Sequence, residues 1–137
     1  MQRLLVTICL VLAAGPAYGE WTLVVGPESK GMQAYVDFGT SQRNGNLVTM
    51  WQLSDYTTAQ EVGGTTYLSA KIEKEYDCAE ERFRILALTY FSGHMGGGNG
   101  TTTILPNEKP WLPVQPDSLG KQIWEAACTF EGSQDKR

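Results

Sequence analysis

Residues 67–78 alternate with a period of two: Leu68, Ala70, Ile72, Tyr76 and Cys78 fall on one side, and Ser69, Lys71, Glu73, Glu75 and Asp77 on the other. That is the pattern of a strand with one buried and one wet face. The alternation sends Cys78 inward, toward whatever packs on the sheet. Residues 83–91 behave differently, because Phe83, Ile85, Ala87 and Phe91 fill one side while Leu86, Leu88 and Tyr90 fill the other. An apolar run on both faces predicts a central strand. The short polar link Ala79-Glu80-Glu81-Arg82 joins the two runs and predicts an antiparallel hairpin. Upstream, residues 21–25, 32–38 and 47–53 predict three further strands, with turn chemistry at Gly26-Pro27 and across residues 41–45. Residues 101–105 give a weaker sixth.

One stretch has helical periodicity. In residues 118–130, Leu119, Ile123, Ala126 and Ala127 share a face flanked by Trp124, and Lys121, Gln122 and Glu125 lie opposite. Asp117 or Ser118 caps its start after Pro116, and Gly120 weakens the first turn by about 1 kcal/mol relative to alanine. A helix that starts so weakly needs tertiary support. The expected fold is α+β: a single antiparallel sheet of about six strands with a C-terminal helix packed on one face. Pro110, Pro113 and Pro116, spaced by three, suit a stiff polyproline II crossover that delivers the helix to the sheet.

The first nineteen residues change the picture of the chain's working form. Arg3 precedes an apolar run from Leu4 to Ala14, followed by Gly15, Pro16 and then Ala17-Tyr18-Gly19. That order is a secretory signal peptide, and the run is shorter than the roughly 20 residues of a membrane span. Cys9 follows Ile8 in mid-run, where no lipidation cysteine belongs, so the exported protein is expected to be periplasmic or secreted without a lipid anchor. Residues 20–137 form one domain. Without Arg3, ten basic side chains face fifteen acidic ones, a net charge of −5. This argues against nucleic acid and anionic membrane as the main partner, leaving room only for binding through one local basic patch.

With Cys9 removed, Cys78 and Cys128 form an even pair in an oxidising compartment, most simply a disulfide. Closing a loop of about 50 residues stabilises by roughly 4 kcal/mol in the chain-entropy model. Other chemistry is thinly supported. His94 is the single histidine, so neither a four-ligand zinc site nor a serine-based triad with an elbow motif can be assembled. No cofactor is expected. Glu73, Glu75 and Asp77 line one strand face, which reads as charged exterior and not as an acid–base pair. The stretch "GHMGGGNG" lacks the Lys-Ser/Thr of a phosphate loop and is expected to be a mobile hairpin loop using glycine for positive φ. Asn99-Gly100-Thr101 is a glycosylation sequon, relevant only in a eukaryote.

An ordered set of residues carries a family resemblance: Tyr35-Val36-Asp37; Trp51, Leu53, Asp55 and Tyr56; Tyr76-Asp77-Cys78; Tyr90 with Met95-Gly96 and Gly98; Trp111 and Pro113 through Pro116 and Ser118; and Cys128. Together they resemble the bacterial surface-adhesin protein E family over nearly the whole mature chain. The resemblance implies a single antiparallel sheet with a packed helix, no catalytic centre, and adhesion to a host protein, with host extracellular-matrix protein as the implied partner class. It leaves room for a homodimer. The reading is an exported, non-enzymatic binding module of the cell envelope, with a small periplasmic hydrolase or redox protein as the alternative. Recognition residues belong on loops at the sheet's rims, which singles out Tyr56, His94, Met95 and Trp111.

Overall fold

The computed structural model describes residues 20–26, 31–132 and 134–135; the expected signal segment lies outside them. Six strands follow one another as neighbours: β1 (Thr22–Val25), β2 (Met32–Asn44), β3 (Leu47–Val62), β4 (Thr65–Asp77), β5 (Arg82–Phe91) and β6 (Gly100–Thr102), each pairing antiparallel with the next. Two short strands complete the sheet. β7 (Leu112–Pro113) pairs with β5, and β8 (Gln134–Asp135) pairs in parallel with β2. The α1 helix (Leu119–Thr129) starts at Ser118, whose side chain accepts from the Lys121 N–H. Fold class and helix placement follow the sequence pattern.

Strand lengths do not. β2 runs through the expected turn at 41–45 and reverses only at Gly45-Asn46, and β3 extends nine residues past Leu53. In each case alternation is interrupted inside the strand. The β2–β3 register jumps between Asp37 and Gln42, and the β3–β4 register between Asp55 and Gln60. The first irregularity is fixed by Asp37 Oδ1 accepting from Gly39 N at 3.0 Å, and by the Thr40 hydroxyl, which donates to Asp37 O and accepts from Trp51 N. A bulge keeps a strand going while breaking its sequence period.

β5 is not central. It lies next to the edge, with β6 covering Thr89–Phe91 and β7 covering Arg82 and Phe83. Opposite β4, Glu73 pairs with Ala87 and Lys74 with Ile85, so Leu86 is an extra residue. The bulge switches faces: Phe83 and Ile85 share the side of Leu88 and Tyr90. This explains an apolar pattern on both faces in a strand that is only partly covered.

The helix covers the β1 side of the sheet, where Ile123 and Ala127 pack on Val25, Ala34, Val36, Met50 and Tyr76. Its other anchor is the β4–β5 turn. The Cys78–Cys128 disulfide ties them, with Cα atoms 5.7 Å apart. Trp124 Nε1 donates to Asp77 O at 3.0 Å, and Lys121 pairs with Glu81. Arg43 Nη2 donates to Cys128 O, satisfying a carbonyl at the helix end.

The acidic strand face is less solvated than expected. Asp77 is buried: its Oδ1 accepts from Ala79 N and Glu80 N, and its Oδ2 from Arg82 Nε at 2.9 Å. Burial alone would raise its pKa, but the hydrogen bonds and the Arg82 charge outweigh it and hold the carboxyl below the usual range. Glu75 is held by Arg84 Nε at 2.7 Å. Conversely, Lys74 falls on the core face, only 9% exposed, with Nζ 4.7 Å from the Phe83 ring centroid. Burial pushes its ammonium down to about 8.

Candidate functional site

The loop from Ser92 to Asn99 first closes on itself. Ser92 N donates to Asn99 O, Asn99 N donates to Ser92 Oγ, and Gly93 N donates to Gly97 O. His94–Gly96 form a single 3-10 turn, with Met95 at φ 54. At Gly98, with φ +76, a Cβ would stand 2.2 Å from Ser92 Oγ, so only glycine fits.

The closed loop is then fastened to the sheet. Asp55 Oδ1 on β3 accepts from Met95 N at 2.8 Å and lies 3.2 Å from His94 Nδ1. Ser69 on β4 donates to Gly93 O at 2.6 Å and accepts from Gly96 N at 2.9 Å. Gly96 sits so close that a Cβ there would come within 2.9 Å of Lys71 Cε. The expectation of a mobile loop is therefore corrected. Its anchors come from strands about 40 and 27 residues away in sequence, which no local glycine pattern discloses.

Next to Asp55, Tyr56 turns to the opposite side of the strand and meets Tyr67 edge-on, with centroids 5.6 Å apart; Tyr67 in turn contacts Tyr90 at 4.4 Å. Burial, the largest cause, pushes the Tyr56 and Tyr67 hydroxyls up. Beneath them Gln52 Nε2 donates to Ser54 Oγ at 2.8 Å. One end of the sheet thus carries an aromatic cluster on one side and the fastened glycine loop on the other. Tyr56, His94 and Met95 share this end of the sheet, but Tyr56 lies on the face opposite the other two and inside β3, not on a loop. Trp111 lies elsewhere: its ring is 4.5 and 4.3 Å from the guanidinium carbons of Arg82 and Arg84, at the turn end. Ser69 and Glu75, which mark the two positions on β4, are about 20 Å apart at strand rise.

Chemically the loop end offers an oriented imidazole and little else that reacts. Asp55 orients His94, whose side chain is 53% exposed, but the Ser69 hydroxyl is used in both directions by loop backbone and Ser92 Oγ by Asn99 N. Among the described residues, no three His, Cys, Asp or Glu side chains gather as metal ligands. Sequence reasoning missed Asp55 and Ser69 as the residues that shape this end. Asp55 precedes an already selected tyrosine, whereas Ser69 gave no signal beyond its place on a polar strand face.

The family model of surface-adhesin protein E matches residues 21–129. No curated protein matches the chain. Among solved structures, protein E of non-typeable Haemophilus influenzae is similar at 14% identity and a TM-score of 0.61, over 85% of this chain and 82% of that one. Crystal form II of H. influenzae protein E gives 13% identity and a TM-score of 0.60, over 77% and 86%. At such identities the likeness concerns the fold.

Proposed function

We propose that this chain, which belongs to the surface-adhesin protein E family, is an exported non-enzymatic module that binds a partner protein through the glycine-loop end of its sheet. Family and fold are those of an adhesin-like surface protein, and among the described residues no helix is long and apolar enough to cross a membrane. The observation that carries the reading is the clamp of Asp55 on Met95 N and His94. It presents a thioether residue, 44% exposed, and an imidazole in fixed positions. A contact surface ordered before binding loses less entropy on association than a floppy one. Host extracellular-matrix protein is the partner class to test first, since the family is one of surface adhesins. The misplaced Cys9 favours a form without a lipid anchor.

A pull-down with the mature protein, first against matrix proteins and then against envelope extract, supplies the partner for the decisive measurement. Replacing Tyr56, His94 and Met95 together by alanine is expected to weaken binding at least tenfold, while Trp111→Ala leaves it within twofold. Undiminished affinity in the triple variant rejects this surface. Activity abolished by EDTA or by a thiol or serine reagent rejects the binding-module reading.

A further inference from the structure

Asp37 is 1% exposed, and its two carboxylate oxygens fare differently. Oδ1 accepts from Gly39 N, whereas Oδ2 is buried with no hydrogen-bond partner. An ionised oxygen in that position is costly unless a cation reaches it. Among the described residues, the strand register sets none beside it. Across the register on β3 stands Trp51, and one strand further, opposite Trp51, stands Glu73. Burial, the largest cause, pushes the Asp37 pKa up against the Gly39 hydrogen bond, and the Glu20 carboxylate adds to the rise. Thr22 pairs with Val36, so one step back along β1 the register sets Trp21 opposite Asp37, with Glu20 the next residue out. The register thus runs the backbone of Glu20 past the Asp37 position on β2.

We infer that Asp37 is the receptor for the mature amino terminus: cleavage before Glu20 creates an α-ammonium that docks on Asp37 Oδ2 and locks β1 onto the sheet. Hydrolysis of the Gly19–Glu20 bond by a signal peptidase consumes one water. It leaves a carboxylate on Gly19 and an amine on Glu20, which takes up a proton at neutral pH. The new cation would lie beside two carboxylates, those of Asp37 and Glu20. Removal of the leader then supplies a cation to a buried carboxylate as well as freeing the chain. The inference goes beyond the binding reading and is independent of any partner.

The test uses full-length exported protein and mature protein beginning at Glu20, with termini checked by intact mass. An exported chain that begins at any residue other than Glu20 overturns the inference at the cleavage step. With the terminus confirmed, the α-amino pKa is measured by pH-dependent labelling. It is expected about one unit above the ordinary 7.7–8.0, and back within that range in Asp37→Asn. Should that variant not fold, acetylation of the wild-type terminus serves instead, along with a chain retaining Gly19, whose amine is about 3.8 Å further out. A pKa raised in the folded state stabilises fully below about pH 8 and less as pH rises through the shifted value. Free and acetylated chains should therefore differ in denaturation midpoint at pH 6 and converge near pH 10. An ordinary α-amino pKa, or equal midpoints at pH 6, overturns the docking step.

Discussion

The β4–β5 hairpin has two ends built to different plans. At its turn, residues 75–84 are gripped by a disulfide, an indole hydrogen bond and two carboxylate–arginine pairs, and the Trp111 ring lies across both guanidinium groups. At its open end, the connection to β6 is closed by its own backbone and fastened by one carboxylate and one hydroxyl. The first end joins elements distant in sequence through covalent, charged and apolar contacts at once. The second holds a shape with few bonds and leaves His94 and Met95 facing outward. On the proposed reading, stability and presentation are thus separated along one strand pair, and each is expected to be open to perturbation without the other.

The largest break in that separation should come from the turn. Replacing Cys78 and Cys128 together by alanine is expected to lower unfolding free energy by roughly 4 kcal/mol in denaturant titration, with partner affinity unchanged. A loss of binding in a variant still folded would show that the two ends are coupled. Next comes Asp77→Asn, expected to cost about 2–3 kcal/mol because it leaves Arg82 and two backbone N–H groups short of an anion. The depressed carboxyl stabilises above its unfolded value near 3.9 and loses that contribution as pH falls through the folded value. The variant should therefore have a shallower acid limb.

Lys74→Met sharpens the comparison from between the two ends. With the folded ammonium at about 8 and the unfolded one near 10.4, the unfolded chain binds more protons in that window, so wild-type stability should rise with pH there. The methionine variant should lack the rise and be more stable by about 1–3 kcal/mol at pH 7. A variant of unchanged stability would mean that the ammonium is better solvated than its burial implies. Asp55→Ala should have the smallest effect on stability, about 1 kcal/mol, yet the largest on binding. Hydrogen exchange at Met95 and Gly96 should quicken in it while the turn end stays protected.

Legibility in the sequence followed the same division. The helix face and the β4 alternation were readable because burial on one side imposes a period, and the inward phase of Cys78 anticipated its bridge to the helix. The reach of β2 and β3 was hidden by backbone irregularities at Asp37–Gln42 and Asp55–Gln60, which cancel that period. β7 and β8, at two residues each, are too short to have one. Tyr56 lies within β3 and His94 and Met95 in the loop after β5, two strands away, and they share one end only because Asp55, beside Tyr56, fastens that loop. Trp111 was drawn into the set by its place in a proline-rich loop, and the arginine pair that holds it lies on a different segment, some thirty residues earlier. The fastening of the glycine loop depends on Asp55 and Ser69, single polar atoms whose partners are backbone N–H and C=O groups, and these carry no sequence signature.

Leu86, the extra residue of β5, has a consequence for copies of this chain that meet one another. Between the stretches covered by β6 and β7, with Leu88 O accepting from Thr103 N beside them, β5 leaves residues 84–87 of its outer edge without a paired strand among the described residues, and Leu86 sits inside that gap. A growing fibril needs a flat template several residues long. The gap offers four positions with a kink among them, flanked by occupied edge on both sides. An apolar strand next to the rim of the sheet is thereby made a poor seed for aggregation, with Arg84 the one charged residue in the gap.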